Sequence, residues 1–143
     1  MPQASVVTSS TAASLSAVPR RFTCTWKEGG AGAAWVQVTG DLDLATSPLL
    51  GRALRDAQLH ARVVVLDLRE VTFIESAGVH VILDAAAGVR RDDGRLILVR
   101  GPTHVDRALT LTDASSQVLL VDLDPSDPPV RALLRLAQHE LAT

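Results

Sequence analysis

The chain is predicted to be an α/β protein with a mostly parallel sheet of four to five strands, an antiparallel edge strand and about four helices. Three observations carry that expectation. Val63, Val64, Val65 and Leu66 form a continuous apolar run rich in β-branched residues, the pattern of a strand covered on both faces. After Ser76 the period changes: Val79, Ile82, Leu83 and Ala86 fall at i, i+3, i+4 and i+7, the stripe of an amphipathic helix. Strand and helix patterns then keep alternating toward the C-terminus, which requires parallel strands joined by crossovers.

Each element follows from its own pattern. Residues 1–19 are rich in Ser, Thr and Ala without periodicity and are expected to be a disordered tail, leaving residues 20–142 as the folded domain. Residues 21–27 alternate, with Phe22, Cys24 and Trp26 on one face, so they read as a half-buried strand placed antiparallel at an edge. The glycines at 29, 30 and 32 make a hairpin loop, and residues 35–39 are the returning strand. Ser47-Pro48 supplies an N-cap followed by proline at the first helical position, with Leu50, Ala53, Leu54 and Ala57 as the buried stripe.

The buried strand at 63–66 comes next. Residues 67–72 lead away from it, and Phe73 and Ile74 anchor the chain again. Ser76 falls at or near the following helix N-cap, with Gly78 permitting close backbone approach in the first turn. Asp92-Asp93-Gly94 turns the chain into a strand at 95–99. Gly101-Pro102-Thr103 starts a helix that buries Val105, Ala108 and Leu109. A short strand at 118–121 precedes a last helix, capped by Asp127-Pro128, with Val130, Leu133, Leu134, Ala137 and Leu141 inward.

Composition narrows the function. The 143 residues are 47% hydrophobic and 21% charged, enough to bury a core of ordinary size. The net charge is −2, and Arg90-Arg91 is cancelled by Asp92-Asp93, so neither a nucleic-acid surface nor an anionic-membrane surface is expected. Cys24 is the single cysteine, which fits a reducing compartment. Neither a signal peptide nor an apolar run of membrane-spanning length is visible, so a cytoplasmic protein is expected.

No metal or cofactor is expected. His60, His80, His104 and His139 are far apart, and His80 and Asp84, one turn apart, read as an exposed helix face. The glycines of the hairpin loop do not precede a helix, which removes a phosphate cradle. A hydrolase elbow needs Gly-x-Ser-x-Gly, but position 74 is Ile, so no catalytic residue is assigned. Ser76 itself has two readings: a helix cap that satisfies a backbone N–H, or an exposed hydroxyl where added negative charge meets the positive end of a helix dipole. Asp43 likewise reads as a loop-capping carboxylate or a partner contact.

Three segments together resemble the STAS domain of bacterial anti-sigma factor antagonists. Residues 38–46 (VTGDLDLAT) resemble the family's glycine, acidic, leucine, aspartate turn after the second strand. Residues 64–83 resemble its apolar strand, Val-x-Phe-Ile and Asp-Ser-x-Gly pattern followed by a helix. Residues 95–99, with Val105-Asp106-Arg107-Ala108-Leu109, are similar to the fourth strand and third helix. Glu75 stands where the family has aspartate. Ala77 stands where many relatives carry a second hydroxyl, so Ser76 is the sole acceptor in the motif.

The resemblance implies a STAS fold and a protein–protein switch. The unphosphorylated form would bind an anti-sigma factor serine kinase, an ATP-binding protein of histidine-kinase-like fold, and so release a sigma factor. Phosphorylation of Ser76 by that kinase would end the complex, and a serine phosphatase would restore it. Asp43, Glu75, Ala77 and Gly78 would line the partner surface. The alternative is a STAS scaffold that is never phosphorylated, serving a stressosome-like or lipid-transport complex.

Overall fold

The computed structural model describes residues 4–8, 22–30, 32–112, 118–129 and 131–142. Six strands among them form one sheet: β1 (Ala4–Thr8), β2 (Thr23–Gly30), β3 (Ala33–Leu42), β4 (Val63–Ile74), β5 (Arg95–Val99) and β6 (Leu119–Val121). Among the described residues four helices follow β3, β4, β5 and β6 in turn: α1 (Ser47–His60), α2 (Ser76–Arg91), α3 (Thr103–Thr110) and α4 (Arg131–Ala142). The spatial order β1-β2-β3-β4-β5-β6 is the sequence order, antiparallel through β3 and parallel from β3 onward. Because that order never reverses, the described strands have no switch-point crevice of the kind that holds a nucleotide in doubly wound sheets.

Period-2 alternation divides the core in two. Ala34, Val36, Val38, Val64, Leu66, Leu96 and Leu98 face the helices that follow β3, β4 and β5, meeting Leu50, Leu54, Ile82, Val105 and Leu109. Trp35, Val65, Ile97, Val99 and Val121 face the other way, toward Ala132 and its neighbours Leu133 and Leu136 on α4. The parallel strands are therefore covered on both sides, which is why residues 63–66 read as an unbroken apolar run.

Several expectations are corrected. Among the described residues the sheet has six strands, because Ala4–Thr8, assigned from sequence to the disordered tail, pairs antiparallel with β2 from Ala4↔Lys27 to Thr8↔Thr23. The outer edge of β2 carries unpaired N–H and C=O groups that accept a ladder from any extended segment within reach. β2 is consequently interior and β1 takes the edge. The remaining tail positions, 1–3 and 9–19, lie outside the described residues.

β4 also runs eight residues further than the apolar run, to Ile74. Its second half stays paired to β3 across two register shifts, one of them beside Gly40 at φ 99°. Ile74 is buried but Phe73 is 44% exposed, so only one of the two anchors the chain. In α4, Leu134 is 58% exposed and the inward positions are Ala132, Leu133 and Leu136, a rotation of the expected stripe. Val130 and the side chains of Ala137 and Leu141 lie outside the described residues.

Arg69 locks the extended part of β4 to the chain ahead of α4. Its Nε and Nη2 donate to Asp67 Oδ1 and Oδ2 at 3.0 and 2.8 Å, and its Nη1 donates to the carbonyls of Asp124 and Asp127 at 2.6 and 2.8 Å. The side chains are 14% and 7% exposed. The hydrogen bonds to Asp67 raise the pKa of the Arg69 guanidinium, against a smaller lowering by burial.

Candidate functional site

The C-terminal ends of β3 and β4 lie side by side, at Leu42↔Ile74 in the parallel register. Each strand feeds a helix, so the N-termini of α1 and α2 emerge on the same edge of the sheet. Glu75 N–H donates to Leu42 O at 2.8 Å and stitches the two exits together. Two positive helix ends thus meet in one small region.

Ser76 is the first residue of α2 and is exposed. The N-cap is Glu75, in extended conformation, whose carbonyl accepts from Gly78 N at 3.0 Å and Val79 N at 3.2 Å. The N-cap position thus falls one residue earlier than the sequence suggests, and the Glu75 side chain makes no capping hydrogen bond to α2. Among the described residues the Ser76 hydroxyl makes no hydrogen bond.

The neighbouring loop, residues 43–46, is organised by carboxylates. Asp43 Oδ1 accepts from Ala45 N at 3.0 Å, Thr46 N at 2.9 Å and Thr46 Oγ1 at 3.0 Å. Asp43 N donates back to Thr46 Oγ1 at 2.9 Å, and Ser47 Oγ donates to Asp43 O. Asp43 is therefore a loop-capping residue, half-buried, and its carboxylate also neutralises part of the positive end of α1. The helix begins with Thr46 as N-cap and Ser47 already helical. Glu75 crosses to this loop: its Oε1 accepts from Leu44 N at 3.1 Å.

Of the five residues singled out by sequence, the fold brings Asp43, Glu75, Ser76 and Ala77 together at the surface. Gly78 differs because it is buried. A Cβ there would lie 2.9 Å from Ile74 Cγ1 and 3.1 Å from Leu42 Cβ, so glycine lets the first turn of α2 sit directly on the strand ends. It supports the surface from beneath and has no side chain to present.

Two residues of the region escaped the sequence reading. Leu44, 77% exposed, and Phe73, 44% exposed, stand out from the ends of the two strands around Ser76. A leucine inside an acidic turn, flanked by Asp43, was the available signal for the first. For Phe73, β4 had to be known to continue to Ile74 before its face could be assigned. Thr72 Oγ1 donates to Asp41 Oδ1, and His104 Nε2 lies 2.6 Å from Thr72 O, which fixes the rim behind Phe73.

Among the described residues this region presents the exposed Ser76 hydroxyl, bordered by the carboxylates of Asp43 and Glu75 and by the exposed side chains of Leu44 and Phe73. His104 and His60 contact backbone carbonyls rather than carboxylates, and among the described residues no group of three or more His, Cys, Asp or Glu could hold a metal ion. Cys24 is buried in the core, and desolvation pushes its thiol up to about 12. No described helix is long and apolar enough to cross a membrane.

The STAS domain family model matches residues 27–126. No curated protein matches the chain. Among solved structures, an anti-sigma factor antagonist from Mycobacterium paratuberculosis is similar at 21% identity and a TM-score of 0.64, covering 93% of this chain and 95% of that one. A putative anti-sigma factor antagonist from Thermotoga maritima is similar at 19% identity and 0.65, covering 77% and 92%. The phosphorylated form of the Bacillus cell fate determinant SpoIIAA is similar at 15% identity and 0.60, covering 80% and 98%. At these identities the likeness establishes the fold.

Proposed function

The chain belongs to the STAS domain family, and from that premise we propose that it is an anti-sigma factor antagonist switched by phosphorylation of Ser76. The unphosphorylated form binds an ATP-binding anti-sigma factor serine kinase in the cytoplasm and releases a sigma factor. Asp43, Glu75 and Ala77 contribute to the contact surface, with Gly78 seating α2 beneath it and Leu44 and Phe73 adding apolar area. The kinase transfers a phosphoryl group to Ser76 Oγ, the complex dissociates, and a serine phosphatase resets the protein.

The observation that carries this reading is the exposed Ser76 hydroxyl at the first residue of α2, left uncommitted because Glu75 takes the N-cap position. A phosphate there adds about −1.5 to −2 charges. At a helix N-terminus that charge is favourable by about 0.3–1 kcal/mol, and Glu75 and Asp43 work against part of it. The domain therefore stays folded, and the penalty falls on the interface. A mispaired charge buried at an interface costs about 2–5 kcal/mol, roughly 30-fold to several thousand-fold in affinity.

The test compares wild-type and Ser76→Asp protein as baits in lysate of the native host, with phosphopeptide mapping of the endogenous protein. Wild type should retain an ATP-binding anti-sigma kinase, the variant should lose it, and phosphate should map to Ser76. Equal capture by both baits, with a transporter or stressosome subunit in place of a kinase, would replace the switch with the scaffold reading.

A further inference from the structure

We infer that Glu75 is a positioning residue that passes charge at Ser76 to the loop of residues 43–46, and through it to the exposed side chain of Leu44. The role of Ser76 as the charged position rests on the function proposed above; the mechanical link does not. Three successive backbone amides of the loop, those of Leu44, Ala45 and Thr46, donate to carboxylate oxygens. Ala45 and Thr46 are held from within the loop by Asp43. Leu44 alone of the three is held from outside it, by Glu75 Oε1 at 3.1 Å, 31 positions along the chain and next to Ser76.

The reach of the side chain decides the link. The Glu75 backbone is pinned at both ends, its N–H to Leu42 O and its carbonyl to the first turn of α2, so its Cα cannot follow the loop. The aspartate of the family pattern would fall one methylene short of the Leu44 amide. Glutamate at this position thus ties the two strand exits together through a side chain as well as through the backbone.

A phosphate on Ser76 places a dianion on the residue adjoining the Glu75 carboxylate. Like charges so close favour the conformer in which the exposed Glu75 side chain swings into water and lets go of Leu44 N–H. The Asp43 bonds are untouched, so the start of α1 and the rest of the loop keep their geometry. The released element is Leu44, an apolar side chain 77% exposed in the unmodified protein. Modification then acts on the docking surface twice, by adding charge and by loosening an apolar contact.

Amide hydrogen exchange of the full chain, followed by NMR, tests the link. Ser76→Asp supplies charge without a kinase, and neither position 75 nor position 76 adjoins Leu44, so intrinsic exchange at Leu44 is unaltered. In the wild-type background, Ser76→Asp should speed exchange at Leu44 about threefold to fivefold, the range expected for a weakened exposed charged bond, while Ala45 and Thr46 stay unchanged. Glu75→Asp should speed Leu44 without any change at Ser76. In the Glu75→Gln background, which keeps a neutral acceptor, Ser76→Asp should leave Leu44 exchange where it was.

An unchanged Leu44 amide in Ser76→Asp overturns the inference, as does an equal rise in the Glu75→Gln background or a parallel rise at Ala45 and Thr46. Absence of phosphate at Ser76 in the host would remove the proposed switch yet leave these exchange results standing. A positive phosphosite with no exchange effect would do the reverse.

Discussion

Replacing Arg69 with alanine should be among the most damaging surface-proximal substitutions in this protein, although Arg69 lies outside the candidate site. Four side-chain hydrogen bonds disappear together: two to Asp67 at 3.0 and 2.8 Å, and one each to the carbonyls of Asp124 and Asp127 at 2.6 and 2.8 Å. The larger effect is on what remains. Asp67, 7% exposed at its side chain, is left a carboxylate without its counter-ion and retains, among the described residues, only the Arg69 backbone N–H at 3.1 Å. Removing one partner of a buried pair costs about 3–5 kcal/mol, and the surviving backbone bond places Arg69→Ala at the lower end, about 3 kcal/mol. That corresponds to roughly 10 °C in Tm for a domain of this size.

Arg69→Lys should recover part of the loss, because one ammonium cannot serve a bidentate carboxylate and two carbonyls at once. The double variant Asp67→Asn/Arg69→Met should lose less than Arg69→Ala, since no charge is stranded. Urea unfolding gives the free energies. Limited proteolysis should show early cleavage between β6 and α4, where the two carbonyls are released. A cost below about 1 kcal/mol for Arg69→Ala would refute the account and class the pair with exposed ion pairs that contribute little.

Three further outcomes follow from the same structure. Burial raises the Cys24 thiol from 9.0 to about 12, so the folded state holds its proton more tightly than the unfolded chain. The associated stability is complete below pH 9 and is lost as pH rises through 12, with native Cys24 unreactive toward a thiol reagent at pH 8 except through unfolding. Gly78→Ala should destabilise by about 1 kcal/mol, its overpacking against Ile74 and Leu42 partly offset by better helix propensity, and Gly78→Val should cost clearly more in a thermal melt. Ser76→Asp should unfold within about 1 kcal/mol of wild type, since the added charge sits at a helix N-terminus; a larger loss in urea would mean that Ser76 is a structural residue.

Local periodicity was enough to place α1, α2, β3 and β5 and to put Ser76 at the start of a helix, because spacing of 3.6 or 2 is written into neighbouring residues. The resemblance of residues 38–46 and 64–83 to one family joins two separate segments into a single candidate surface. The turn at Asp92-Asp93-Gly94 was legible too. Its division of labour was not: Asp93 takes the left-handed conformation at φ 59°, while Gly94 is needed because a Cβ would lie 2.5 Å from Arg62 O.

What only the tertiary structure decided is what depends on a partner far away in the chain. The pairing of Ala4–Thr8 with β2 comes from a ladder across an edge, and a five-residue segment carries too little pattern to announce it. Phe73 points outward because β4 continues past the apolar run against β3, through register shifts that local alternation cannot foresee. Glu75 meets Leu44, and Gly78 meets Leu42, across 31 and 36 positions respectively. Sequence alone therefore determined the elements with a strong local period and placed Ser76 at the start of α2. Packing of the two strand exits determined how that hydroxyl is presented: preceded by Glu75 at the N-cap position, bordered by a tethered loop, and carried on a helix turn that a glycine with no room for a side chain seats against the core.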